Sequence, residues 1–376
     1  VRIVIAVDKF AGTLSAVEAA EAVAEGWRWA DPGARTRLLP LSDGGPGFVE
    51  VLHTALGGTL HETEATGPLG GPVPARYLMS GATAYIESAQ VCGLHLVPPE
   101  RRDPGATTSR GVGELIAHAA AAGARSVVVG LGGSSSNDGG AGMLAALGAE
   151  PADALGSGGA ALSALPAPVD LTAARTAVRG VSLIAATDVD NPLLGLQGAS
   201  AVFGPQKGAD ADQVQRLDTA LGAFAEATDP GGLGEEAGAG AAGGLGYGML
   251  LLGGAVESGV ARVLGAVGLA EDVASADLVV TGEGSFDTQS LRGKLPHGVA
   301  QAAADQGVAC VVLAGAVAVG RREAAAAGIC ETYSLVEAAG STEAALNDSA
   351  AQLRALAANV ARRWSGGRAR SADAAR

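Results

Sequence analysis

The chain opens on Val1-Arg2-Ile3-Val4-Ile5-Ala6-Val7, a short β-branched run that stops at once on an acid, Asp8. A segment this short and this apolar reads as a buried strand. Ser15-Ala16-Val17-Glu18 is a capping-box pattern. It predicts a helix reaching about Trp29, because the Ser and Glu side chains satisfy the first free N–H groups reciprocally. A strand over 36–41 and a helix over 47–56 follow. The same rhythm returns at the other end of the chain: strand 277–281, helix 298–306, strand 308–314, helix 321–327, strand 329–335, and one long helix over 342–364. Strands that alternate with helices pair in parallel and build a doubly wound sheet. Two strands from the first part and three from the last make one five-stranded sheet of flavodoxin-like order.

The middle breaks this rhythm. Thr66-Gly67-Pro68-Leu69-Gly70-Gly71-Pro72 is turn chemistry between two strands. A helix over 112–122 and strands over 126–131 and 181–186 follow. The expected fold class is therefore α/β: a flavodoxin-like doubly wound parallel sheet from residues 1–60 and 277–376, with a second α/β domain, 61–276, inserted in it. The small, polar tail 365–376 is expected to fray.

The 25 basic residues are outnumbered by 39 acids, a net charge of −14. That balance argues against a nucleic-acid surface and against docking on anionic lipid, but it leaves room for a small anion in a local basic pocket. The opening apolar run is too short for a signal peptide, so a cytoplasmic protein is expected. The window 237–256 carries no charge but holds eight glycines, which makes it a poor membrane helix. Cys92, Cys310 and Cys330 lie far apart and are read as buried, reduced thiols.

Only three basic residues are lysines: Lys9, Lys207 and Lys294. Each stands in a Gly- or Pro-containing loop. An ammonium meets a phosphate or carboxylate as a compact point charge, unlike a guanidinium. Four loops rich in acids and glycine follow strands. They are Ser42-Asp43-Gly44-Gly45, the run from Gly132-Gly133-Ser134-Ser135-Ser136 through Asn137-Asp138-Gly139-Gly140, Thr187-Asp188-Val189-Asp190-Asn191, and Thr281-Gly282-Glu283-Gly284-Ser285-Phe286-Asp287. Ligands of open parallel sheets bind off the carboxyl ends of the strands. Glycine lets backbone N–H groups approach a phosphate, and the serines add donors. Carboxylates there can hold Mg2+ or accept a proton from a substrate hydroxyl.

Other chemistries lack their signatures. There is no P-loop and no protein-kinase set. Gly238-Ala239-Gly240-Ala241-Ala242-Gly243 matches a dinucleotide fingerprint only as a string, because no strand precedes it. The five histidines have no metal-ligand spacing, although His297 stands close to Lys294. No Gly-x-Ser-x-Gly elbow occurs.

Asn137-Asp138-Gly139-Gly140-Ala141-Gly142, Phe203-Gly204-Pro205-Gln206-Lys207-Gly208 and Thr281-Gly282-Glu283-Gly284 are long, chemically unusual blocks. Together with segments 8–13, 42–47, 187–195 and 238–246, they resemble the bacterial glycerate kinases, a family separate from P-loop kinases. The resemblance runs from Ile3 to about Leu335. It implies a flavodoxin-like domain carrying an inserted α/β domain, and ATP-dependent phosphorylation of D-glycerate at the 2-hydroxyl to give 2-phosphoglycerate. The residue types at these positions suggest roles. Lys9, Lys207 and Lys294 would neutralise the ATP phosphates and the glycerate carboxylate. Asp188 and Asp190 would hold Mg2+ or act as base. Asp43, Asp138, Glu283 and Asp287 would be second candidates for the metal or the base and, with Asn191, would contact substrate or phosphate, and Ser134, Ser135 and Asn137 would bind phosphate. Val7 stands where the family often has Pro, Ala11 where it often has Lys, Pro46 where it usually has Glu, and Thr187 where it often has Cys. Lys9 would then serve alone in its loop. Transfer to the 3-hydroxyl, another small hydroxy acid as substrate, and a non-catalytic small-anion-binding protein remain open alternatives. So does assembly with copies of itself.

Overall fold

The computed structural model describes residues 1–10, 12–165, 168–229, 231–291 and 293–374, and the side chains as far as residue 364. Eleven strands occur in it. In chain order they are β1 (Arg2–Val7), β2 (Arg35–Leu38), β3 (Thr59–Thr66), β4 (Pro72–Ser80), β5 (Thr83–Glu87) and β6 (Ser126–Gly130). Then come β7 (Ser182–Ala186), β8 (Ala255–Glu257), β9 (Leu278–Phe286), β10 (Cys310–Val317) and β11 (Ile329–Ser334). The chain divides into two compact units, Val1–Asp43 with Val260–Arg376, and Gly44–Gly259.

The discontinuous unit is built on a five-stranded sheet of order β11-β10-β9-β1-β2, parallel throughout. Counted within the unit this is the flavodoxin-like order, and its chain path reverses direction between β1 and β9. The helix Ala16–Ala30 begins with the expected capping box: Ser15 Oγ accepts from Glu18 N, and Glu18 Oε2 accepts from Ser15 N. Its apolar face lies on β1 and on the helix Ser349–Ala374, with Ile3, Ile5, Val23, Trp27, Leu353 and Leu356 in one core. The two helices touch closely at Gly26, where a Cβ would stand 2.1 Å from the Arg354 carbonyl oxygen. Replacing Ser15 by Ala should cost about 1 kcal/mol, the typical worth of an N-cap. A lowered urea midpoint at unchanged slope would register it, and an unchanged midpoint would contradict it.

The structure departs from the sequence reading in three places here. The segment from Gly282 to Phe286, expected as loop, extends β9, because β10 continues to Val317 and pairs with it as far as Phe286. The helix expected from 298 starts at Leu295, with Pro296 in its first turn where a missing N–H costs nothing. The single helix expected over 342–364 is two, Thr342–Asn347 and Ser349–Ala374. Asp348 breaks it by leaving helical geometry and accepting Ala351 N on its own carboxylate at 3.1 Å. The tail's side chains lie outside the described residues.

The continuous unit holds a six-stranded sheet, β3-β4-β5-β6-β7-β8. β3, β4 and β5 pair antiparallel, and β5 through β8 pair in parallel. The turn at 67–71 joins β3 to β4 as expected. Its core gathers Ile86, Leu115, Val127, Met143, Phe224 and Tyr247. Cys92 and Cys310 are buried; Cys330 is exposed, against expectation, on the edge strand β11. Among the described residues no helix is long and apolar enough to cross a membrane.

Candidate functional site

The candidate side chains gather in two places, one in each unit. In the discontinuous unit they collect where β1 and β9 end. Val7 pairs with Gly282, and Asp8 N donates to the Gly282 carbonyl at 2.8 Å, so Asp8 and Glu283 come next in line on neighbouring strands. Lys9 serves both acids of the first two loops: its Nζ lies 3.7 Å from Asp8 Oδ1 and 3.6 Å from Asp43 Oδ1. Asp8 is 9% exposed, and burial pushes its carboxyl up to about 7. Lys9 opposes that rise, while Asp43 and Glu283 add to it.

Glu283 is also pushed up to about 7, first by burial, against a hydrogen bond from Ser290 and the charge of Lys294. Its Oε1 is buried and has no hydrogen-bond partner among the described residues. The loop beyond β9 is tied by Asp287, whose Oδ1 accepts Gln289 N at 2.8 Å and whose N–H donates to Ser290 Oγ. Lys294 holds the N-cap position of the helix Leu295–Asp305, and its Nζ donates to Gln289 Oε1 at 3.2 Å. A carboxyl whose folded pKa is raised binds a proton that the unfolded chain has already lost, so stability falls as pH climbs from about 4.5 to about 7. Glu283→Gln should therefore stabilise the protein at pH 8 by about 1 kcal/mol and make little difference at pH 5. Equal urea midpoints for variant and wild type at both pH values would contradict this.

In the continuous unit the centre is the loop after β6. Lys207 closes a short 3-10 turn, Pro205–Lys207, and is 2% exposed. Its Nζ donates to Ser134 Oγ at 2.9 Å and to the Ser136 carbonyl at 2.6 Å. Burial is the main force that drives the ammonium down to about 8. The other side chains of this loop are also engaged within the fold. Ser135 Oγ donates to the Cys92 carbonyl, and Asn137 Nδ2 donates to Ser200 Oγ. Asp138 is wholly buried. Its Oδ2 accepts from Ser109 N at 2.8 Å, Ser109 Oγ at 2.9 Å and Gly142 N, and its Oδ1 accepts from Gly140 N. Burial raises the Asp138 carboxyl above the ordinary carboxylate range. Ser136 Oγ and Asn137 Oδ1 are buried without a hydrogen-bond partner among the described residues.

The glycine-rich stretch that mimics a dinucleotide fingerprint packs against this loop. Residues 242–244 take left-handed geometry, Gly139 N donates to the Gly243 carbonyl, and a Cβ on Gly243 would stand 2.0 Å from the Ser136 carbonyl oxygen. After β7, Asp188 Oδ1 accepts from Ser258 Oγ at 2.6 Å, Asp190 is exposed, and Asn191 Nδ2 donates to the Gln197 carbonyl. Asp188 and Asp190 offer hard oxygen donors two residues apart on one loop. That set suits Mg2+, which takes one or two carboxylates and draws its remaining ligands from phosphate and water. Among the described residues no group of three or more His, Cys, Asp or Glu side chains is arranged to hold a metal by itself.

Two families of comparison meet this geometry. A model of the glycerate kinase family matches residues 3–365. A protein named glycerate kinase from Bacillus subtilis (strain 168) is 45% identical over 371 residues, covering 96% of this chain and 97% of its own. The chain belongs to the glycerate kinase family. It is thus a phosphotransferase, and membership of a kinase family implies ATP as the phosphoryl donor. A protein named glycerate 2-kinase from Escherichia coli (strain K12) is 44% identical over 312 residues, 80% of this chain and 82% of its own. A crystal structure of a candidate glycerate kinase 2 from Salmonella typhimurium LT2 superposes with a TM-score of 0.80 at 40% identity, covering 98% of this chain and 99% of that one.

Against that family background, the structure brings Lys9, Asp43, Glu283, Asp287 and Lys294 into the discontinuous unit. Ser134, Ser135, Asn137, Asp138, Asp188, Asp190, Asn191 and Lys207 fall in the continuous one. Ala11 lies outside the described residues. Sequence reasoning passed over Asp8, Ser109, Ser200 and Ser290. For Asp8 a signal existed: an acid ending a wholly apolar first strand.

Proposed function

We propose that this enzyme transfers the γ-phosphoryl group of ATP to the 2-hydroxyl of D-glycerate, releasing 2-phosphoglycerate and ADP. The observation that carries this reading is the family match along nearly the whole chain, joined to lysines and carboxylates that stand at the carboxyl ends of parallel strands. The likeness to a protein named glycerate 2-kinase supports the choice of hydroxyl.

Phosphoryl transfer needs positioning and charge neutralisation rather than covalent chemistry. Lys9 and Lys294 supply ammonium groups for the phosphates and the substrate carboxylate. Lys207 fixes the Ser134–Ser136 backbone from below, so that the glycine-flanked turn keeps its N–H groups in place. Asp138 does the same for residues 140–142. Asp188 and Asp190 would hold Mg2+, which when bound offsets phosphate charge. Asp43 and Asp287 shape the loops that carry the lysines.

Phosphorus NMR of the product from D-glycerate and ATP tests the reading. A 2-phosphoester couples to one carbon-bound proton and appears as a doublet, whereas a 3-phosphoester couples to two. A triplet moves the reaction to the 3-hydroxyl. ADP release with other hydroxy acids but not with glycerate moves the substrate. Glycerate binding without turnover favours a binding protein.

A further inference from the structure

We propose that Asp8 is the catalytic base: its carboxylate accepts the proton of the substrate hydroxyl as that oxygen attacks the γ-phosphorus. The inference rests on the kinase reading above and adds the residue that moves the proton.

Position comes first. The flavodoxin-like sheet changes its direction of winding between β1 and β9, and open α/β sheets bind their ligands off the strand ends at such a point. Asp8 is the first residue beyond β1 there, its backbone pinned by the bond from its N–H to Gly282. Lys9 engages only one oxygen, Oδ1, donating its backbone N–H at 2.7 Å and placing its ammonium 3.7 Å away. Among the described residues no hydrogen bond reaches Oδ2, which leaves that oxygen for a ligand. The Asp8 side chain is 12% exposed, whereas that of Asp43, the other acid on Lys9, is 41% exposed.

The charges around Asp8 agree. Lys9 holds it negative, Asp43 and Glu283 make it more basic, and burial does so most of all, to about 7. A base tuned near neutral pH is both ionised often enough and strong enough to help. In the step, the hydroxyl O–H bond breaks and its proton passes to Asp8. The oxygen bonds to the γ-phosphorus, and the bond to the β-phosphate oxygen breaks with its electron pair on ADP. Asp8 returns the proton to water.

The test compares wild type, Asp8→Asn, Asp8→Glu and Glu283→Gln, each assayed for kcat and KM from pH 5.5 to 9. Asp8→Asn should lower kcat at least 100-fold, with KM for the acceptor changed less than fivefold. Its residual rate should lack the acid limb expected of wild type near pH 7. Asp8→Glu should recover part of the rate with a displaced limb, and Glu283→Gln should retain a limb moved to lower pH, because Glu283 is one of the charges that raise Asp8. An Asp8→Asn rate within threefold of wild type overturns the proposal. So does a limb that persists in Asp8→Asn but vanishes in Glu283→Gln. If the asparagine variant does not fold, Asp8→Glu decides: a rate and a limb like those of wild type count against Asp8. A wild type that phosphorylates a hydroxy acid other than glycerate sinks only the substrate reading, and the same variants are then scored on that acid. A wild type that phosphorylates none overturns both.

Discussion

Asp138→Asn is expected to destabilise the protein by about 3–5 kcal/mol, a large share of the 5–15 kcal/mol that holds a typical domain together. The side chain is wholly buried and accepts four hydrogen bonds, two from Ser109 and one each from Gly140 and Gly142. Three of those donors are backbone N–H groups near helix starts, where negative charge is favoured and where an unmet N–H costs about 1–3 kcal/mol. An amide would turn N–H against N–H on one side. Ser109 would also lose its anchor, and with it the acceptor that its Oγ offers to Met143 N. Urea unfolding of the pure variant measures the effect. A loss below 1 kcal/mol would mean that the carboxylate is not what holds this junction.

Lys207→Met is expected to lower kcat/KM at least 100-fold while changing stability by no more than about 2 kcal/mol. The two effects separate because two terms oppose each other in the fold. Methionine fills a similar volume and removes the cost of a buried ammonium, but it leaves the Ser136 carbonyl without its donor. The stability terms nearly offset; the loop geometry has no such compensation. Arginine should not rescue, because a broad planar guanidinium does not fit where a compact ammonium reaches Ser134 Oγ and the Ser136 carbonyl at once. A steady-state assay with a parallel melting curve reads both. A variant within threefold of wild type in kcat/KM would show that the loop needs no ammonium.

The fold was legible where local chemistry and global packing ask for the same residues. β1 is apolar because it is buried between β9 and β2, and the helix after it is announced by a capping box that the structure contains. Five parallel strands split between the chain ends could be ordered from their alternation with helices alone. Legibility failed where tertiary pairing overrides propensity. Gly282-Glu283-Gly284 looks like a loop, yet β10 recruits it into β9. Asp348 hides a cap inside a helical pattern.

The candidate site was readable as residue types and not as environments. Lysine scarcity pointed to positions 9, 207 and 294, but nothing local tells that Lys207 is buried while Lys9 bridges two acids. The groups that bury and bind Lys207 are Ser134 and Ser136, more than seventy residues earlier. Asp8 had a local signal, an acid ending an apolar strand, but its environment did not: the burial that raises its basicity most, and the acids Asp43 and Glu283 that add to it, come from distant segments.

The split origin of the first sheet has a consequence for how the chain is made. On the ribosome, β1 emerges long before its neighbour β9, which follows only after the whole of Gly44–Gly259 has been synthesised. At about 5–20 residues per second the first strand waits at least ten seconds or so with one edge unmatched. The uninterrupted inner segment can collapse first on its own contacts, whereas the outer one is a late, long-range closure of the kind that slows folding and exposes nascent chains to aggregation.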